Sequence, residues 1–95
     1  MRSLKDQIAE ARIAFSEGKA EEALIVLDEI QNHNQENPEV LFLRGEIYYK
    51  LQRWGEALNC FFHYREIDPK SSGAATYIDM INRILAFYHT DLYNP

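Results

Sequence analysis

Between Ala20 and Asn34 the apolar residues Ala23, Leu24, Leu27 and Ile30 recur at spacings of three and four, with Glu21, Asp28 and Gln31 left towards water. That period belongs to an amphipathic helix. Read with the breakers, the same pattern predicts five helices. The first runs from about Ser3 to Ser16, with Ser3 as N-cap and Asp6 as its capping partner. Glu17-Gly18-Lys19 turns the chain into the second helix, and Asn32 to Pro38 forms a polar connector. Helices three and four run about Glu39 to Leu51 and Trp54 to Ile67, separated by Gln52-Arg53. A fifth begins near Gly73 and ends around Tyr88 or His89. It differs from the others in carrying two apolar stripes, one of Ala74, Ile78, Ile81, Leu85 and Tyr88 and one of Tyr77, Met80, Ile84 and Phe87.

Shifted by 34 residues, the pattern falls on itself: Ala11 on Gly45, Ala14 on Tyr48, Ala23-Leu24 on Ala57-Leu58, Leu27 on Phe61 and Ile30 on Tyr64. A period of this length is the mark of a helix–turn–helix unit that cannot bury its apolar face alone and stacks on its neighbour. The clearer copy, unit two, is Pro38 to Ser71, and the eroded copy, unit one, is Leu4 to Asn37. In unit two Gly45 and Ala57 allow two helices to approach, Tyr48, Trp54 and Phe61 fill the space around them, and Asp68-Pro69 ends the second helix. Unit one has Ala11, Ala14 and Ala20 at the places of Gly45, Tyr48 and Trp54, and Gln35 at the place of Pro69.

On those residues the chain resembles the tetratricopeptide repeat (TPR) family. The resemblance implies an all-α fold, a right-handed α-α superhelix of two antiparallel helix pairs plus a fifth capping helix. Residues 1–95 then form one domain: repeat one at 4–37, repeat two at 38–71, the capping helix at 72–89 and a tail at 90–95. The third segment leaves the repeat, since the offset places Asp79 and Asn82 where Gly45 and Tyr48 stand in unit two. Glu10 and Arg44 occupy the position before the small residue, where the family usually has leucine, and are candidates to pair with each other.

Composition narrows the function without naming it. A 95-residue chain of this kind buries only a modest core. Its net charge of −5 is spread over both units with no basic patch, which argues against nucleic acid. No run is apolar enough to span a bilayer and the charged start has no secretory core, so a cytoplasmic protein is expected. The lone Cys60 excludes an internal disulfide and is expected to be a buried structural thiol. His33, His63 and His89 stand apart from any ligand-spaced Cys or carboxylate, and Gly18-Lys19 lacks the frame of a phosphate loop. The sequence therefore predicts no enzyme, no cofactor and no metal.

A binding surface is the positive expectation. In TPR folds the first helix of each pair lines a concave groove, which carries over here to Ile8, Arg12 and Phe15, then Glu39, Phe42, Leu43, Glu46, Tyr49 and Lys50, then Tyr77 and Met80. Large aromatic groups rimmed by charge suit a protein or peptide partner, anchors supplying energy and the rim supplying register. Family members that hold chaperone C-termini use Lys, Asn, Asn, Lys and Arg, and the matching residues are Ile8, Arg12, Leu43, Gly73 and Tyr77. Only Arg12 binds a carboxylate strongly, so that activity is disfavoured. The second stripe of helix five supports an alternative, a self-associating module: Ile84, Phe87 and Tyr88 need cover, from Leu92 and Tyr93 of the tail, from a second copy, or from another partner. The expected state is a monomer or weak homodimer.

Overall fold

The computed structural model describes residues 3–33 and 37–88. Five helices follow in order: α1 (Leu4–Ser16), α2 (Ala20–His33), α3 (Pro38–Lys50), α4 (Trp54–Ile67) and α5 (Ser72–Tyr88). The fold is all-α and of the TPR type.

Local chemistry sets the helix ends. Ser3 caps α1 by accepting the Asp6 amide at 3.1 Å. Asn37 caps α3 by accepting the amides of Glu39 and Val40 at 2.9 and 3.2 Å. Because Asn37 is the cap, Pro38 opens the helix at the position where its missing N–H costs nothing, one residue earlier than the sequence expectation. Ser71 accepts the Ala74 amide at 3.3 Å, which likewise starts α5 before Gly73. Arg53 offers α4 no side-chain cap, but its guanidinium donates to both oxygens of Glu56 at 2.7 and 2.6 Å and fixes the first turn.

The turns inside the two units are copies. Lys19 donates its amide to the Ala14 carbonyl at 2.8 Å, and Arg53 donates to Tyr48 at 2.9 Å. Each turn passes through one left-handed residue, Gly18 at φ 81° and Gln52 at φ 61°. The chain reversal thus has the same geometry with and without glycine.

Packing runs α1 on α2, α3 on α4 and α5 on α4, with α2 and α1 also against α3. Gly45 is the point of closest approach in unit two, since a Cβ there would lie 2.6 Å from Cζ of Phe61. Ala57, Phe61 and Ile47 are fully buried, as are Ala11, Ala23 and Leu27 of unit one and Ile81 of α5. Tyr48 lies with the Arg44 and Arg53 guanidinium groups 5.5 and 5.0 Å from its ring centre, and Arg44 also donates to its hydroxyl at 3.0 Å. The expected pairing of Arg44 with Glu10 is corrected: the ion pair Arg44 makes is with Asp28 of α2, because α2 meets the side of α3 that carries Arg44. Burial by itself would loosen the Arg44 proton, but the Asp28 hydrogen bond acting together with the charges of Tyr48, Asp28 and Cys60 outweighs it and raises the pKa.

Candidate functional site

The first helices of the two units meet at one charged link. Arg12 of α1 donates to Glu39 of α3 at 3.3 Å, with both side chains about half exposed. Three hollows adjoin Arg12. One of ≈ 320 Å³ is lined by Leu4, Lys5, Ile8, Ala9, Arg12, Asn37 and Glu39. A second of ≈ 630 Å³ is lined by Arg12, Phe15, Ser16, Gly18, Leu43, Glu46 and Lys50. The third, of ≈ 500 Å³, is lined by Arg12, Pro38, Glu39, Phe42, Tyr64, Ser71 and Gly73. Together they form a shallow face with an apolar floor, since Ile8 and Leu43 are buried while Phe15 and Phe42 are half-buried. Arg12, Glu39 and Lys50 are exposed above that floor.

An aromatic cluster closes the side towards α5. Tyr77 stacks flat on Phe61 with ring centres 4.6 Å apart, and meets Phe42 at 5.8 Å and Tyr49 at 5.2 Å edge to face. Its hydroxyl donates to Glu46 at 3.3 Å. Burial, and then the Glu46 carboxylate, pushes the Tyr77 pKa up, so the hydroxyl stays a donor at neutral pH. Phe42 in turn packs edge to face on Phe61 and Tyr64, at 5.3 and 5.1 Å. Gly73 lets α5 pass beneath that ring, because a Cβ there would lie 3.2 Å from Cζ of Phe42. Tyr49 meets Trp54 at 5.5 Å.

The sequence-derived set is therefore divided. Arg12, Phe15, Leu43, Glu46 and Lys50 line one hollow, with Phe42 and Glu39 in the next. Tyr49, Tyr77 and Phe42 are engaged with one another, and Met80 is half-buried. Tyr64 and Ser71 join the site without having been anticipated. The signal for Tyr64 was its place one turn after Phe61 on the same helix face.

On α5, Ile84 is half-buried whereas Phe87 and Tyr88 are 78% and 68% exposed, touching each other edge to face at 5.7 Å. Leu92 and Tyr93 lie outside the described residues. The side of α5 at Asp79 and Asn82 is polar and exposed, and Asp79 pairs with Arg83 at 3.1 Å. Cys60 is buried, and burial raises its pKa against the opposing influence of Arg44. Among the described residues no three His, Cys, Asp or Glu side chains gather as metal ligands, and no helix is long and apolar enough to cross a membrane.

A family model described as anaphase-promoting complex, cyclosome, subunit 3 matches residues 1–64, two thirds of this 95-residue chain. No curated protein and no solved structure matches it.

Proposed function

The chain belongs to the anaphase-promoting complex, cyclosome, subunit 3 family, a TPR-type repeat family, and on that premise we propose that it is a non-catalytic cytoplasmic adaptor that binds a peptide or partner segment in its concave groove. One observation carries the reading: three contiguous hollows share Arg12, and their apolar floor lies beside exposed charges of both signs. Such a face gives a partner segment apolar anchors and charge-set register. Phe42 is unsuited to the test because it also supports Phe61 and Tyr64. Arg12→Glu combined with Lys50→Glu alters only exposed side chains. In an affinity pull-down from the source cell, that variant is expected to lose proteins retained by wild type while its melting curve by circular dichroism stays cooperative and shifts only by the loss of the exposed Arg12–Glu39 pair, about 0–1 kcal/mol. An identical retained set would sink the groove.

Self-association through α5 is the second reading, favoured by the exposure of Phe87 and Tyr88. It gives a weak homodimer by sedimentation that Ile84→Glu dissociates.

A further inference from the structure

The charges around the groove are unequal. Its three hollows are lined by the cations Lys5, Arg12 and Lys50 against the carboxylates Glu39 and Glu46, in a chain whose net charge is −5. Both carboxylates are engaged, Glu39 by Arg12 at 3.3 Å and Glu46 by the Tyr77 hydroxyl at 3.3 Å. Lys5 and Lys50 are exposed and make no ion pair among the described residues, whereas Lys19, Arg44, Arg53 and Arg83 each hold a carboxylate. The three groove cations are scattered in sequence, and α1 and α3 gather them on one face. The groove therefore presents free cations on a molecule that is acidic elsewhere.

Those cations alternate with apolar floor. Lys5 and Arg12 stand two turns apart on α1, about 10 Å along its axis, with the buried Ile8 between them. Beyond Arg12, the hollow of ≈ 630 Å³ has the half-buried Phe15 and the buried Leu43 in its lining, with Lys50 exposed beside them. The order along the groove is cation, apolar hollow, cation, apolar hollow, cation. The Arg12–Glu39 pair bridges α1 and α3 between the two hollows, so an occupant has to pass over it. An extended chain passes over such a link and drops side chains to either side, and about 10 Å is the span of three of its residues. Glu39 opposes it weakly, because both members of the pair are about half exposed and such pairs contribute little in water.

Resting on the groove reading above, we propose that the occupant is an extended acidic segment of another protein, with aspartate or glutamate at about every third residue and a large apolar residue between. Its carboxylates meet Lys5, Arg12 and Lys50, and Arg12 exchanges Glu39 for the incoming carboxylate. Side-chain carboxylates are specified here and not a chain terminus, since the cations stand separately along the groove and do not converge as donors on one point. Nucleic acid is a poor match, because three cations on an acidic chain leave its phosphates largely opposed.

The probe is a peptide blocked at both ends, with glutamate at its first, fourth and seventh positions and leucine then glycine between them. In two controls, glutamine or lysine replaces every glutamate. Titration into the full chain, followed by the amide NMR signals of α1 and α3, should show the glutamate peptide binding about tenfold tighter than the glutamine peptide. The preference should vanish at about 1 M salt, where the screening length is about 3 Å. Lys5→Gln and Lys50→Gln should each reduce it about threefold. Lys19→Gln, which removes the same charge outside the groove, should leave it unchanged. Glu39→Gln should tighten binding of the glutamate peptide about twofold by freeing Arg12. Absence of binding, equal binding of the glutamate and glutamine peptides, or a preference as sensitive to Lys19→Gln as to Lys50→Gln would overturn the proposal. A lysine peptide that binds tighter than both, and tighter still to Arg12→Glu with Lys50→Glu, would overturn the acidic occupant while keeping the groove. An unchanged pull-down with that double variant removes the groove itself. Self-association that Lys50→Gln abolishes would give the face to a second copy and overturn the proposal as well.

Discussion

Unit one carries Ala11 and Leu27 where unit two carries Gly45 and Phe61, and all four are buried. One large residue and one small residue fill the same place, but the division of volume differs. Removing the methyl of the small partner makes room for a larger one, and the aliphatic contact becomes an aromatic platform. Phe61 packs under Gly45 and also receives Tyr77 of α5 as a flat stack, with Phe42 at its edge. The same contrast recurs at the neighbouring position. Ala14 is half-buried in unit one, whereas Tyr48 in unit two is held between Arg44 and Arg53. Unit two thus receives a helix on each side, α2 against α3 and α5 against α4. What distinguishes the units is the number of neighbours their side chains can engage, since their turns have one geometry.

The largest effect comes from transplanting one unit's packing into the other. Gly45→Ala places a Cβ where the Phe61 ring stands, and overpacking of this kind costs about 1–3 kcal/mol. Adding Phe61→Leu recreates the Ala11/Leu27 combination and should recover part of that loss, a coupling that equilibrium urea unfolding of the four proteins measures. The recovery is partial because Tyr77 loses its stacking partner. Hydrogen exchange in α5 should therefore stay faster in the double variant than in wild type. If Gly45→Ala alone leaves the urea midpoint unchanged, the two units do not divide volume in the way described.

A smaller effect, about 1 kcal/mol per substitution, lies in the turns. Gly18 and Gln52 share the left-handed conformation, which costs a residue with a Cβ about 1–2 kcal/mol. Nothing lies within 4 Å of a Cβ built on Gly18, so Gly18→Gln meets this backbone cost without a steric clash. Gln52→Gly removes the cost in unit two, offset in part by the greater freedom of glycine in the unfolded chain. The single substitutions should shift thermal unfolding in opposite directions, and the exchange of both should nearly cancel. A destabilising Gln52→Gly would show that its side chain contributes more than its backbone costs.

Much of this comparison was legible before the structure. The offset of 34 residues identified Gly45, Ala57 and Phe61 as contacts because helix pairing within a unit is local and its spacing is fixed by the turn. Helix ends were legible to within a residue: the starts differ at Asn37, Pro38 and Ser71, where a cap, not the apolar pattern, sets the first residue, α3 ends at Lys50 one residue before the expected Leu51, and the expected end of helix two at Asn34 lies outside the described residues. The link from Asp28 to Arg44 was not legible, nor was the stacking of Tyr77 on Phe61. Both depend on the angle at which successive helices cross, and at α5 the repeat pattern had already lapsed at Asp79 and Asn82. For the groove, the residue types were readable from the repeat, but their division into a floor, a rim and an aromatic cluster required the side-chain contacts. The exposure of Ile13 was not legible either, because a period shows what units share: Ile13 and Ile47 hold the same place in the repeat, yet the first is exposed and the second fully buried.

The third effect is absent at neutral pH and separates the units by chemistry. Unit one contains neither tyrosine nor cysteine, whereas Tyr48 and Cys60 of unit two and Tyr77 of α5 are groups that burial holds in the protonated state. Each is raised from its ordinary value, 9.0 for the thiol and 10.0 for the phenols, with Arg44 opposing the shift at Tyr48 and Cys60. As pH rises above about 9 the unfolded chain therefore releases these protons first and binds fewer than the folded one. Stability falls with pH wherever that holds, so the contribution is fully present below the unfolded values and is lost as pH climbs through the folded ones. Urea midpoints should accordingly be level from pH 7 to about 8.5 and decline above it. Tyr77→Phe removes both the phenol and its bond to Glu46, so it should lower the plateau slightly and flatten the decline. A decline of equal steepness in Tyr77→Phe would mean that the alkaline sensitivity resides elsewhere than in the aromatic contact joining α5 to unit two.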